Sequence, residues 1–152
     1  MSLLDLATSA HLLHVGGEAN LYRLYATDED FILKWYKQDL SFNKSVLDCI
    51  KKSKDSGHFR IREYGSREGS AYVLYDYVHG VASDCVDPIP VTVALYALRK
   101  VVGTLARLKA SGTSPGDLCP SNVMLSTVEI DACYDLHTTL IDFGIVGPGA
   151  LS

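Results

Sequence analysis

The spacing of apolar residues shifts along the chain from a period of two toward a period of 3.6 and back. Leu12, Leu13 and Val15, then Leu21, Tyr22, Leu24 and Tyr25, form two apolar runs around Gly16-Gly17. An acidic turn, Asp28-Glu29-Asp30, leads into Phe31-Ile32-Leu33-Lys34-Trp35-Tyr36. Together these predict an antiparallel hairpin or meander. From about residue 39 to residue 56 the pattern becomes helical. Ser41 is a candidate N-cap, Phe42, Val46, Leu47 and Ile50 form one face, and Lys51, Lys52 and Lys54 lie near the C-terminal end, where the helix dipole favours cations. Gly57 ends it.

Two more strands are expected at 59–64 and 71–78, joined by a turn at 65–69. Gly80, Pro88 and Pro90 then mark a loop. The longest helical pattern follows, with Val91, Ala94, Leu95, Leu98, Val101, Val102, Leu105 and Leu108 at helical spacing and Gly112 as its stop. Val123-Met124-Leu125 and Thr139-Leu140-Ile141 read as short strands around a polar connection. Strands, one helix, strands, a long helix, a loop and a short hairpin make an α+β arrangement rather than alternating β-α units.

Composition narrows the function classes. At 152 residues with 47% hydrophobic and 21% charged residues, the chain is an ordinary globular sequence of one-domain size. A net charge of −4 argues against a globally basic nucleic-acid binder. The charge is uneven. Eight basic residues lie between Lys34 and Arg62 against Asp39, Asp48 and Asp55, while no Lys or Arg follows Lys109. Cys49, Cys85, Cys119 and Cys133 form no C-x-x-C pair, so a zinc ribbon or thioredoxin-type motif is not expected. The N-terminus has no basic leader, and no apolar stretch reaches membrane-spanning length. A cytoplasmic protein with reduced thiols is the expectation.

Four features bear chemistry. Gly16 and Gly17 sit in a turn of small residues, where backbone N–H groups can approach a phosphate; a plain hairpin is the alternative. Lys34 is a lone cation in an apolar strand, which otherwise reads as an outward-facing strand lysine. The loop after the long helix carries Asp117 and, five residues on, Asn122, with Pro120 between; turn chemistry alone favours the same residue types. Asp142-Phe143-Gly144 follows a short apolar strand. Two acids and an amide oxygen on adjacent loops would make a hard oxygen site for Mg²⁺.

In this order and setting the four features resemble the protein-kinase superfamily, and most closely compact bacterial versions of eukaryotic-type kinases. The resemblance runs from about residue 12 to residue 145. It implies an antiparallel N-lobe sheet with one helix (about 10–80), and a reduced C-lobe of one long helix and a β-hairpin (about 81–152), within a single minimal domain. It also implies ATP and Mg²⁺ as cofactors. Lys34 would contact the α- and β-phosphates, Gly16 and Gly17 would lie over them, and Tyr75, Asp76, Tyr77 and Val78 would offer backbone groups to the adenine. Asn122 and Asp142 would hold Mg²⁺. Asp117 would orient or deprotonate the accepting hydroxyl.

The departures from the family pattern are specific. His14 and Ala19 stand where glycines are usual. The helix over 39–56 lacks a Glu to pair with Lys34, leaving Asp48 as the only acid well inside it. Pro115-Gly116 replaces a His-Arg pair, and Cys119 replaces a lysine that meets the γ-phosphate. The sequence stops just past Asp142-Phe143-Gly144, so the lobe is expected to be reduced, with the apolar face of the long helix covered by the hairpin, a partner or a second copy. Three readings follow. A minimal kinase transfers phosphate to a Ser or Thr hydroxyl. A pseudokinase of the same fold serves as a binding module. A small-molecule kinase ranks last. Expected partners are a protein substrate or a protein covering the reduced lobe, and homo-oligomers; neither membrane nor nucleic acid is expected.

Overall fold

A computed structural model gives the architecture for residues 1–37, 40–113, 116, 118–142 and 146–148. The elements in chain order are strands β1 (Ala7–Val15), β2 (Ala19–Ala26), β3 (Glu29–Tyr36) and β4 (Leu40–Phe42), helix α1 (Lys44–Lys52), strands β5 (Ile61–Arg67), β6 (Ser70–Asp76) and β7 (Val81–Ala82), helix α2 (Val91–Ala110), and strands β8 (Val123–Ile130), β9 (Cys133–Leu140) and β10 (Val146–Pro148). Short 3₁₀ turns lie at Ser83–Cys85 and Pro120–Asn122. The described residues fall into two compact units, one from 1–51, 60–77 and 146–148, the other from 52–59 and 78–142.

The first unit is a five-stranded antiparallel sheet in the order β1-β2-β3-β6-β5. Two of its hairpins close through two-residue turns, Thr27-Asp28 and Glu68-Gly69, with positive φ at both positions. That handedness matches the twist of the flanking strands. The acidic turn therefore falls one residue earlier than the sequence pattern implied, and β5 continues through the Gly65–Arg67 stretch expected to be turn.

The middle strands are buried on both faces. Phe31 and Leu33 join Leu24, Ala26, Tyr72 and Leu74 in a core on one side, closed by Leu3, Leu4, Ala7, Tyr22 and Trp35. Side chains alternate along a strand, so Ile32 and Tyr36, also buried, belong to the other side. β6 is buried from Ser70 through Tyr75, which is why its sequence is a continuous apolar run rather than an alternating one. The N-terminal segment is fastened to this sheet. The Leu3 N–H and the Tyr72 hydroxyl each donate to Glu63 at 2.7 Å, and Arg67 bridges Asp5 at 2.6 Å. Burial, reinforced by the Glu63 bond, pushes the Tyr72 hydroxyl up to about 12. The hydrogen bond from Arg67 holds the Asp5 carboxyl down to about 2.

Helix α1 is shorter than the pattern predicted. Residues 40–42 pair with β10 as a two-stranded sheet instead, and the cap passes from Ser41 to Asn43, whose side-chain oxygen accepts the Val46 N–H at 3.4 Å. Leu47 and Ile50 remain its buried face. Phe42 leaves the helix face and meets Tyr64 edge-on at 5.5 Å.

In the second unit, α2 buries Ala97, Val101, Thr104 and Leu108, and β7, β8 and β9 form a three-stranded sheet. The β8–β9 hairpin is full length, eight residues on each side of an Asp131-Ala132 turn with both φ values positive. The expected polar connection is thus strand. Asp135 ties β9 to α2 by accepting from Tyr96 at 2.8 Å and Lys100 at 3.2 Å, which lowers its carboxyl pKa. Arg107 donates to Asp55 and lowers that carboxyl likewise. Residues 57–59 run beside the end of β9: Leu140 N–H donates to the Gly57 carbonyl and Phe59 N–H to the Leu140 carbonyl, both at 2.8 Å. Among the described residues no helix is long and apolar enough to cross a membrane.

Gly57 permits this close packing, because a Cβ there would fall 2.0 Å from Thr104 Oγ1. Gly57→Ala is expected to cost about 1–3 kcal/mol, the usual range for overpacking. Urea denaturation checks it, and an unchanged midpoint would contradict the contact.

Candidate functional site

The sheet of the first unit carries one group of candidate residues. Lys34 lies on β3, the third of five strands, opposite Leu21 of β2 and Val73 of β6. It is half-buried. Its ammonium sits 5.1 Å from the centroid of the Tyr36 ring, a cation–π geometry. Tyr36, 1% exposed, was not singled out from sequence; the two-residue spacing from Lys34 was the available signal. Tyr75 lies opposite Ile32, so its side chain shares the face of Lys34 one pair along.

The turn between β1 and β2 assigns its two glycines different work. Gly16 N–H donates to the Ala19 carbonyl at 3.0 Å, and a Cβ on Gly16 would lie 2.7 Å from that same oxygen. Backbone cannot swing aside, so the turn requires glycine there. A Cβ on Gly17 would meet nothing within 4 Å, leaving that position open to approach from outside.

At the end of β6 the backbone is largely committed. Asp76 N–H donates to the Arg60 carbonyl at 3.0 Å and Tyr77 N–H to the Asp30 carbonyl at 3.3 Å. Among the described residues, Val78 is the first of this stretch whose N–H is not spent on a backbone carbonyl. Asp30 also holds Arg23 through two hydrogen bonds, at 2.6 and 3.2 Å, and Arg23 lies 4.4 Å from the Tyr77 ring centroid.

Asp48 is exposed on α1 and accepts from the Tyr64 hydroxyl at 3.2 Å. That bond raises the Tyr64 pKa. The carboxylate considered as a partner for Lys34 thus accepts from a phenol on β5 through one of its two oxygens.

The second unit carries the other group. The turn Pro120–Asn122 is closed by Asn122 N–H donating to the Cys119 carbonyl at 3.0 Å. Val123 then starts β8 opposite Leu140 of β9. One step beyond that register, Ile141 N–H donates to the Asn122 carbonyl at 3.0 Å. Asn122 and Asp142, twenty residues apart in sequence, are thus brought to the open end of one hairpin, with Asp142 next to the residue that bonds Asn122. Both are half-buried. Cys119 is half-buried, its sulfur 3.1 Å from the Ser121 hydroxyl. Asp117, the candidate base, lies outside the described residues, as do Phe143 and Gly144.

One amide oxygen and one carboxylate are hard donors in small number, which suits Mg²⁺ completed by water and phosphate. Among the described residues no group of three or more His, Cys, Asp or Glu could hold a metal by itself, so a self-sufficient transition-metal cage is not what these residues offer.

No protein-family model matches the sequence, and no curated protein does either. Solved structures do. The Mycobacterium tuberculosis PknI kinase domain matches with a TM-score of 0.72 at 18% identity, covering 98% of this chain and 65% of that one. A second structure of that domain matches at 0.71 and 16%, covering 95% and 62%. A double mutant of it matches at 0.73 and 18%, covering 99% and 66%. At these identities what is shared is the fold: the chain has a protein-kinase-like fold, α+β, and spans about 65% of the length of the first of these kinase domains.

The two glycines yield a paired expectation. Gly16→Ala should destabilise the protein by about 1–3 kcal/mol, while Gly17→Ala should stay within about 0.5 kcal/mol of wild type. Thermal melts of both variants check this, and equal losses would contradict the turn geometry.

Proposed function

We propose that this chain binds Mg·ATP and transfers the γ-phosphate to a Ser or Thr hydroxyl of a protein substrate. The observation that carries the reading is the Ile141–Asn122 backbone bond, which brings the Asn122 and Asp142 positions to the same end of a hairpin in a kinase-like fold. Bound Mg·ATP supplies the transferable phosphoryl group and a divalent charge on it. Asn122 and Asp142 hold the cation through their side-chain oxygens. Lys34 meets the α- and β-phosphates, and the open position at Gly17 lets the β1–β2 turn lie over them. Val78 N–H is the backbone donor left for the adenine edge.

In the transfer step the substrate hydroxyl oxygen attacks the γ-phosphorus as the bond to the β-phosphate oxygen breaks. The hydroxyl proton passes to the Asp117 carboxylate, and ADP leaves. Phosphoryl transfer of this kind rests on positioning and charge neutralisation rather than on covalent chemistry by the protein. The setting proposed for this activity is a reducing cytoplasm.

The second reading, a nucleotide-binding module without transfer, draws support from Cys119, which brings no cation to a position where a charge would stabilise the transition state.

Mg·ATP is expected to raise the melting temperature of the wild type, by the equivalent of about 2.7 kcal/mol at a hundredfold excess over Kd. Lys34→Ala should lose that shift. Asp142→Asn should weaken the response to Mg·ATP more than the response to ATP alone. Asp117→Ala should keep the shift and lower turnover by about 10²- to 10⁴-fold. A shift without turnover in the wild type selects the binding-module reading, and no shift at all overturns nucleotide binding.

A further inference from the structure

The second unit holds a polar pocket that nucleotide binding does not use. It measures about 450 Å³ and is walled by α2, by Ser56-Gly57 and by His137 and Thr138 of β9. All of these residues belong to the second unit. The pocket lies on the flank of α2 that packs toward the hairpin, not on the exposed apolar face of the helix. Tyr96, Lys100, Gly103 and Arg107 recur along that flank in steps of four, three and four residues. Tyr96 and Lys100 reach Asp135 of β9 from it. Its volume is in the range of small-ligand sites.

The lining is rich in donors. Arg99, Lys100, Arg107 and His137 contribute to it, and no carboxylate does. The carboxylates nearby are already engaged. Asp135 accepts from Tyr96, Lys100 and the Leu136 N–H, and Asp55 accepts from Arg107 and the Gly57 N–H. His137 donates to the Ser56 carbonyl at 3.0 Å, which occupies a main-chain acceptor of the wall. Arg99 is exposed and takes part in none of the ion pairs among the described residues.

Gly103 makes the arrangement specific. It stands four residues from Arg99 and four from Arg107, so the three share one line along the helix. Arg107 directs Nε and Nη2 to Asp55 and Thr104. Its Nη1 lies over Gly103, 3.3 Å from where a Cβ would be. A glycine inside a helix is destabilising relative to alanine, and here it leaves a gap between two guanidinium groups.

We propose that this pocket binds a phosphate dianion, free or carried as a monoester, seated over Gly103 between Arg99 and Arg107. The planar N–H forks of guanidinium groups match phosphate oxygens, and Lys100 supplies a further positive charge at the side. The pocket shares no residue with Lys34, Asn122 or Asp142, so this inference stands or falls separately from nucleotide binding.

The test titrates the full chain with inorganic phosphate, with a Gly-Ser peptide carrying one phosphoserine, and with the same peptide unphosphorylated, while amide NMR signals are followed. The Arg99, Gly103 and Arg107 signals should shift with both phosphate ligands, and not with the plain peptide or with sodium chloride at matched ionic strength. Arg99→Ala should weaken binding by about tenfold or more while melting like the wild type, since Arg99 is exposed. Gly103→Ala should also weaken binding, because its methyl group enters the gap. It should nevertheless melt at or above the wild-type temperature, because alanine is the better helix former. Those opposite signs are what a purely structural role for Gly103 would not give. Tighter binding of the phosphopeptide than of inorganic phosphate supports the proposal and makes a phosphorylated protein segment the source; the reverse order supports it with a small phosphorylated molecule as the source. Shifts that are absent, that sodium chloride reproduces, or that survive both substitutions unchanged overturn the proposal. Equal binding of the unphosphorylated peptide overturns it too.

Discussion

The functional reading depends on one backbone hydrogen bond, from Ile141 N–H to the Asn122 carbonyl. Without it, an amide in a 3₁₀ turn and a carboxylate past the end of a strand would have no fixed relation. The bond is enforced by everything behind it. The β8–β9 register runs unbroken from Val123–Leu140 to Ile130–Cys133, and a two-residue turn sets that register. Asp135 then pins β9 to Tyr96 and Lys100 of α2. A one-residue slip of β9 would turn its side chains to the opposite face and change which residue pairs with Asn122.

The sheet imposes the corresponding constraint on Lys34. A strand buried on both faces has little room for a cation, and Lys34 is held there half-buried with its ammonium over the Tyr36 ring. The desolvation cost of placing a lysine there is larger than for an edge strand. The same face carries Leu21, Val73 and Tyr75.

Much of this was legible in the residues. FILKWY reads as a strand with one misfit, and the misfit is the candidate site. The long helix follows from its 3.6 period, and the glycines at 16 and 17 from a turn between apolar runs. What escaped did so for physical reasons. The start of α1 was set by a strand pairing, Leu40–Phe42 with Val146–Pro148, that spans a hundred residues of sequence and overrides local propensity. The outer half of the β8–β9 hairpin has no buried face, since Val128, Ile130 and Tyr134 are exposed, so core burial did not mark it as strand. The clasp of Glu63 by Leu3 and Tyr72 depends on a contact sixty residues long-range. The apolar residues of α2 read as one face because period alone cannot separate a buried stripe from an adjacent exposed one. Asp117 lies outside the described residues, and its role rests on its place in the resemblance.

The central claim is that Asn122 and Asp142 hold one cation together. Mn²⁺ replaces Mg²⁺ at oxygen sites and broadens the signals of nearby nuclei, so amide NMR spectra of the protein titrated with Mn·ATP test the claim directly. The account predicts that the Asn122 and Asp142 signals broaden first, at substoichiometric Mn²⁺, and that Asp142→Asn abolishes the effect at Asn122. Broadening that begins elsewhere, or that reaches Asn122 unchanged in the Asp142→Asn variant, would contradict it.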